Sequence, residues 1–196
     1  MTVHDALPDG ATPLDAGDLD ELIPPHITTR GELDAWEQSN IVAAERWLLG
    51  AAIGEVLDDA FVLGLHRRMF DQTWRWAGRF RRTDANLGVA WQRLPVALRE
   101  LLDDGRLWRD RGTSPPDESA VRLHHRLVQI HCFPNGNGRH ARLWADVLLD
   151  RQSRPRLDWG GQSLDVASAA RDQYLAALRA ADRGDYAALL LFARGT

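Results

Sequence analysis

One short run, His131 to Arg142, reads HCFPNGNGRHAR and concentrates the reactive chemistry of this sequence. His131 could take a proton from an attacking hydroxyl. Gly136 and Gly138 permit positive φ and let the backbone approach an anion closely. Successive amide N–H groups in such a turn form an anion-binding concavity. A helix starting near Asn137 would add the positive end of its dipole. Arg139 and Arg142 are three apart, so on a helix they share a face. Their planar forks suit phosphate oxygens. The chemistry indicated is proton abstraction beside a phosphate cradle.

The rest of the chain limits what that cradle can serve. All 24 basic residues are arginine, because no lysine is present. A Walker A lysine, a Schiff-base lysine and a lysine general base are therefore excluded. The expected source of the bias is a GC-rich bacterial genome. The net charge of −4 makes nucleic acid an unexpected partner. Cys132 is the only cysteine, so neither an intramolecular disulfide nor a cysteine zinc cluster is expected, and a reducing, cytoplasmic setting fits. It reads as a small buried apolar side chain. The N-terminus is acidic and polar, so neither a signal peptide nor a membrane anchor is expected.

These residues need elements to hold them. Residues 1–30 carry Pro8, Pro13, Pro24 and Pro25 among aspartates and read as an extended arm, partly wrapped on a domain spanning 31–196. From about Gly31 a helical period begins, with Leu33, Trp36, Ile41, Ala44, Trp47 and Leu48 inward. A second helix is expected from about Asp58 to Phe70, with Phe61, Leu63, Leu65 and Met69 as core candidates. Its His66 reads as a surface or satisfied core histidine. Trp74, Trp76, Phe80 and Trp91 are interspersed with polar residues, and Asp84–Gly88 reads as a turn, so a short β-hairpin is expected there. Pro95 opens a helix to about Arg109. Ser114 is placed to cap the next helix, which runs to about Ile130. Further helices are expected over about Gly138–Leu149, 164–181 and 185–194. The fold class is mainly α.

The run resembles the signature of the Fic (Fic/DOC) family, HxFx(D/E)GNGRxxR, and matches it at every fixed position but Asn135. Trp76–Arg81 is similar to the segment entering that family's flap hairpin. Tyr174–Leu178 with Gly184–Tyr186 is similar to its C-terminal helices. Finer details, LHRRMF among them, resemble the subgroup called mobile mystery protein B. The resemblance implies a Fic-type helical fold with a short β-hairpin flap. It also implies transfer of AMP from ATP to a Ser, Thr or Tyr hydroxyl of a target protein. His131 would then be the general base, with Phe133 anchoring the loop. Asn135, Gly136, Asn137, Gly138, Arg139 and Arg142 would bind the nucleotide. A flap between Arg81 and Leu94, with Thr83, Asp84, Asn86 and Trp91, would hold the target by strand addition.

Asn135 stands where the family has an acid that holds Mg²⁺. Its neutral carbonyl implies weaker magnesium binding, an altered reaction, or a binding protein with little activity. The family's inhibitory glutamate, in the motif (S/T)xxxE(G/N), has no counterpart after Glu118, the last glutamate. Thr28 and Glu32 have the spacing, but Leu33 follows. Glu32, Glu37 and Glu45 are expected to be solvated surface acids, and inhibition by a partner chain stays open. A zinc site among His124, His125, His131 and His140 is disfavoured, since no HExxH pattern is present. The alternatives to AMP transfer are a non-catalytic nucleotide-binding module and Fic-type transfer of another nucleotide or a phosphoryl group. The eight tryptophans read mainly as core.

Overall fold

The computed structural model describes residues 16–50, 52–161, 164 and 168–196. Among the described residues eight α-helices follow in order: α1 (Ala16–Leu19), α2 (Arg30–Gly50), α3 (Asp59–Phe70), α4 (Leu94–Arg111), α5 (Pro116–Ile130), α6 (Asn137–Asp150), α7 (Ala169–Ala181) and α8 (Ala187–Arg194). None of these helices is long and apolar enough to cross a membrane.

Helix boundaries follow local signals. α3 starts where the Asp58 carboxylate accepts the Ala60 N–H. α2 starts in a capping box: Glu32 accepts the Thr28 and Thr29 N–H groups at 2.9 Å, and Thr29 Oγ1 accepts the Glu32 N–H. Those backbone donors, Thr28 first, pull the Glu32 carboxyl down to about 2. α4 ends at Gly112, which takes the left-handed conformation. Ser114 does not cap α5. The cap position falls to Pro115, whose extended backbone places the serine one residue too early.

α5 and α6 form a central antiparallel pair joined by the signature loop. On one side, α2, α3 and α4 build the larger core, with Leu65, Met69, Phe70, Leu98, Leu101, Phe133 and Trp144 fully enclosed. On the other side, α7 and α8 pack on Ala120, Val121, Ala145 and Leu149. The expected α2 stripe is buried at Leu33, Ile41, Ala44 and Leu48. Trp36 is 38% exposed and gives its indole N–H to the Gln72 carbonyl. Trp74, Trp76, Trp144 and Trp159 are buried, in keeping with a core role.

The expected arm is described only from residue 16, and residues 1–15 lie outside the described ones. After α1 the chain runs antiparallel beside residues 73–75: Ile23 N–H bonds Thr73 O and Arg75 N–H bonds Glu21 O. Residues 165–167, expected to be helical, also lie outside; α7 begins at Ala169 with Ser168 as its cap.

The flap is a loop that leaves and returns without strand pairing. Among the described residues no strand occurs there, and a short 3₁₀ turn, Trp91–Arg93, closes it. The strand–strand bonds expected of a hairpin are replaced by bonds to the end of α5. Arg81 N–H reaches Cys132 O at 3.0 Å, and Val89 N–H reaches Ile130 O at 3.3 Å.

Candidate active site

His131 ends α5 in the left-handed region, with φ 58° and ψ 61°. That position usually falls to glycine, and a residue with a Cβ costs about 1–3 kcal/mol there. The imidazole is buried at 5% exposure and lines a cavity of about 630 Å³. Burial pushes its pKa down to about 4, the Val128 backbone opposes this, and the Arg81 charge adds to the depression. The ring is therefore neutral near pH 7 and can accept a proton.

The loop after it is held from three sides. The Phe133 ring stacks on His66 at 3.6 Å. Gly78 N–H donates to His66 Nδ1 at 3.0 Å, so Nε2 carries the hydrogen and donates to Asn135 O at 3.1 Å. His66 is thus a satisfied core histidine that also fixes the loop; burial pushes its pKa well down. The Asn137 side chain is spent on the loop, accepting the Phe133 N–H at 3.0 Å and donating to Phe133 O at 2.8 Å. The amide side chain of Asn137 thus braces the loop, and the residue also lines the cavity. Asn135 Oδ1 accepts the N–H of the next residue, Gly136, at 2.6 Å.

Gly136 has φ 76°, and a Cβ there would lie 2.6 Å from the Phe70 ring. α6 starts just beyond it with no side-chain cap. The backbone N–H groups of its first turn lie beside the cavity. Arg142, on the same wall, sits over the Tyr174 ring at 5.6 Å.

Arg139 has a second tie. Its guanidinium lies over Phe70 and pairs with Glu37 at 2.7 Å. Glu37 is 2% exposed and also accepts the Trp74 indole N–H at 2.6 Å. The expectation of a solvated acid is overturned: a helix face that looks open in one dimension is covered by Trp74 and by α6. Glu32 is not buried, and its carboxylate is spent on the α2 cap.

Three of the four histidines considered for zinc have separate partners. His124 Nε2 meets Tyr174 Oη at 3.0 Å, His125 Nε2 meets Asp182 at 2.9 Å, and His140 Nε2 donates to Val62 O at 2.9 Å. Cys132 is fully buried, and burial pushes its thiol up to about 12.

The structure brings His131, Asn135, Gly136, Asn137, Gly138, Arg139 and Arg142 together around one cavity. The flap contributes Leu87, Gly88 and Val89 to that lining. Thr83, Asp84, Asn86 and Trp91 are exposed and lie outside the lining, and Asp84 accepts the Trp91 N–H at 2.9 Å. Sequence reasoning missed Tyr174, Arg179 and Asp182, which line the far wall from α7. Their i, i+5, i+8 spacing was a usable signal once a cavity was placed beside that helix. A larger cavity of about 810 Å³ lies between α4, α5 and the end of α6. It holds none of the signature residues.

A helical fold here places a buried histidine, a helix N-terminus without a side-chain cap and two arginines around one cavity. Comparison with known proteins gives this site a family: residues 56–149 match the model of the Fic/DOC family, and that span is a Fic-type domain. It is 34% identical over 133 residues to Protein adenylyltransferase fic-1 of Caenorhabditis elegans, covering 66% of this chain and 24% of that protein. It is 32% identical over 128 residues to Protein adenylyltransferase Fic of Drosophila grimshawi, covering 63% of this chain and 25% of that protein. The chain thus spans about a quarter of the length of these curated relatives. Among solved structures, BepC of Bartonella tribocorum with bound AMPPNP superposes with a TM-score of 0.66 at 15% identity, over 92% of this chain and 97% of that one. Fic-1 of C. elegans gives 0.64 at 24% identity, over 89% and 50%. At these identities the likeness is one of fold.

Proposed function

We propose that the protein transfers AMP from ATP to a Ser, Thr or Tyr hydroxyl of a target protein. The observation that carries this is the placement of a neutral His131 imidazole in one cavity with the uncapped start of α6 and with Arg142. The target hydroxyl attacks the α-phosphorus, and its proton passes to His131. A new O–P bond forms, the bond to the β-phosphate oxygen breaks, and pyrophosphate leaves. The amides of Gly138 and Arg139 stabilise phosphate charge, with Arg142 beside them. Such transfer depends mainly on positioning and charge stabilisation. The named relatives are adenylyltransferases, and one neighbour carries an ATP analogue.

Magnesium fits this loop poorly. No group of three or more His, Cys, Asp or Glu side chains converges among the described residues. Asn135 offers one neutral oxygen that already accepts the Gly136 N–H. A nucleotide-borne Mg²⁺ would gain little from the protein, and its contribution would be charge neutralisation on the phosphates. Asn135→Asp is expected to lower the Mg²⁺ concentration needed for half-maximal activity about tenfold, the effect of ~1.4 kcal/mol. An unchanged requirement removes Asn135 from the metal.

Intact-mass analysis of a cell extract or of the protein itself, incubated with ATP, tests the activity. An AMP adduct is expected, and it falls by about 10²–10⁴-fold in His131→Ala. ATP binding with no adduct would instead support the non-catalytic nucleotide-binding module. The neutral Asn135 and the pairing of Arg139 with Glu37 are the features that favour that second reading.

A further inference from the structure

In a hairpin, the two arms hold each other through a ladder. Here the arms are held by one side chain. Arg81 is 4% exposed, and its guanidinium is aimed at three carbonyls from three stretches of chain. Nε donates to His131 O at 2.8 Å, Nη1 donates to Thr83 O at 2.7 Å, and Nη2 donates to Val89 O. The first carbonyl belongs to the residue that carries the base. The other two lie on the outgoing and returning arms of the flap. The Arg81 backbone adds its bond to Cys132 O, and Val89 N–H its bond to Ile130 O.

The flap also touches the base directly. A Cβ on Gly88 would lie 2.6 Å from His131 Cβ and 2.8 Å from Arg81 Nη2. Gly88 has φ 105°, so its lack of a side chain is required both by conformation and by space. The nearest acid to Arg81 is Asp84, at 3.8 Å and mostly exposed. The cation is therefore satisfied chiefly by carbonyl dipoles. A rigid five-donor fork suits three converging acceptors, whereas a lysine ammonium at the end of a flexible stem does not. His131 itself sits in a left-handed conformation that has to be held by its surroundings.

We propose that Arg81 is a positioning residue that fixes His131 and both arms of the flap in one relation, so that a target segment laid on the flap presents its hydroxyl to the imidazole. This rests on the AMP-transfer reading. On that reading the phosphates meet Gly138, Arg139 and Arg142, none of which Arg81 bonds, so the effect of Arg81 falls on kcat more than on KM for ATP.

The test is Arg81→Ala and Arg81→Lys, assayed in the full chain at saturating ATP. Arg81→Ala is expected to lose about 10²-fold in kcat, the scale of an ångström-sized misplacement of reacting groups, with KM for ATP changed less than about twofold. Arg81→Lys is expected to recover little of this. Guanidinium ion at millimolar concentration, below denaturing levels, is expected to raise kcat of Arg81→Ala and not that of the parent. Wild-type kcat in Arg81→Ala overturns the proposal. So does a fall in ATP binding that matches the fall in kcat, and so does a folded variant that guanidinium leaves unchanged. If the parent transfers no AMP, the functional reading fails, and hydrogen exchange at the Val89 amide tests Arg81 alone. Its protection is expected to drop in Arg81→Ala and return with guanidinium; unchanged protection overturns the role. If Arg81→Ala does not fold, Arg81→Lys carries the same measurements.

Discussion

A carboxylate taken out of water costs several kcal/mol unless both oxygens find partners. Glu37 meets that condition with the Trp74 indole on one oxygen and the Arg139 guanidinium on the other. The pair pins α2 to α6 and holds Arg139 over Phe70. Glu37→Gln keeps an acceptor for Trp74 but leaves Arg139 without its counter-charge at a largely buried site. The expected cost is about 3 kcal/mol, read as a lower urea midpoint at unchanged m. A midpoint equal to the parent's would mean that the pair is solvated in solution. The acid is one that the heptad-scale pattern of α2 does not single out. Its burial depends on Trp74, 37 positions away, and no helical period encodes a partner at that range. The signature residues were legible for the opposite reason, because base, turn and arginines are all neighbours in sequence.

At the scale of elements, the turn between α5 and α6 is set by how closely α3 approaches it. Phe70 closes α3 and fills the space a Gly136 side chain would need. Gly136→Ala is expected to destabilise the fold by about 1–3 kcal/mol through overpacking and backbone strain. ATP affinity, measured by calorimetry, is expected to fall with it. Wild-type stability in this variant would show that the loop can retreat from Phe70. Most helix boundaries were readable to within a residue or two because caps, prolines and glycines act locally, though α7, expected from 164, begins at Ala169. Asp58 and Gly112 are examples. The flap was less readable. Its turn residues and aromatic spacing suit a hairpin, yet its backbone donors go to carbonyls at 130 and 132, more than 40 positions on. Nothing within the flap's own residues distinguishes those acceptors from a facing strand.

For the molecule as a whole, histidine burial sets the response to acid. His66, His124, His131 and His140 are all held below the ordinary histidine pKa, first by burial. His131 lies near 4 and His140 near 3. Each group binds a proton in the unfolded chain before it does so in the fold. The fold's advantage is therefore complete above about pH 6.5 and is lost as pH falls from there toward the folded values. Thermal unfolding is expected to show a Tm flat from pH 7 to 8 and dropping steeply between about pH 6 and 4, at up to ~1.4 kcal/mol per pH unit for each histidine. A flat Tm down to pH 4.5 would show that these rings titrate normally.

The position of α5 and α6 between two cores has a further consequence. The base and the turn are braced by the α2–α4 side, through His66, Phe70 and Phe133. The opposite wall of the cavity comes from α7, in the other core. Sequence drift in α7 can therefore reshape what the cavity admits while leaving the reacting groups in place. Drift in α3 cannot, because Phe70 and His66 support the loop directly. Variants selected for a different nucleotide should accumulate their changes along Leu175, Leu178, Arg179 and Asp182, and only rarely in the helix that holds the turn.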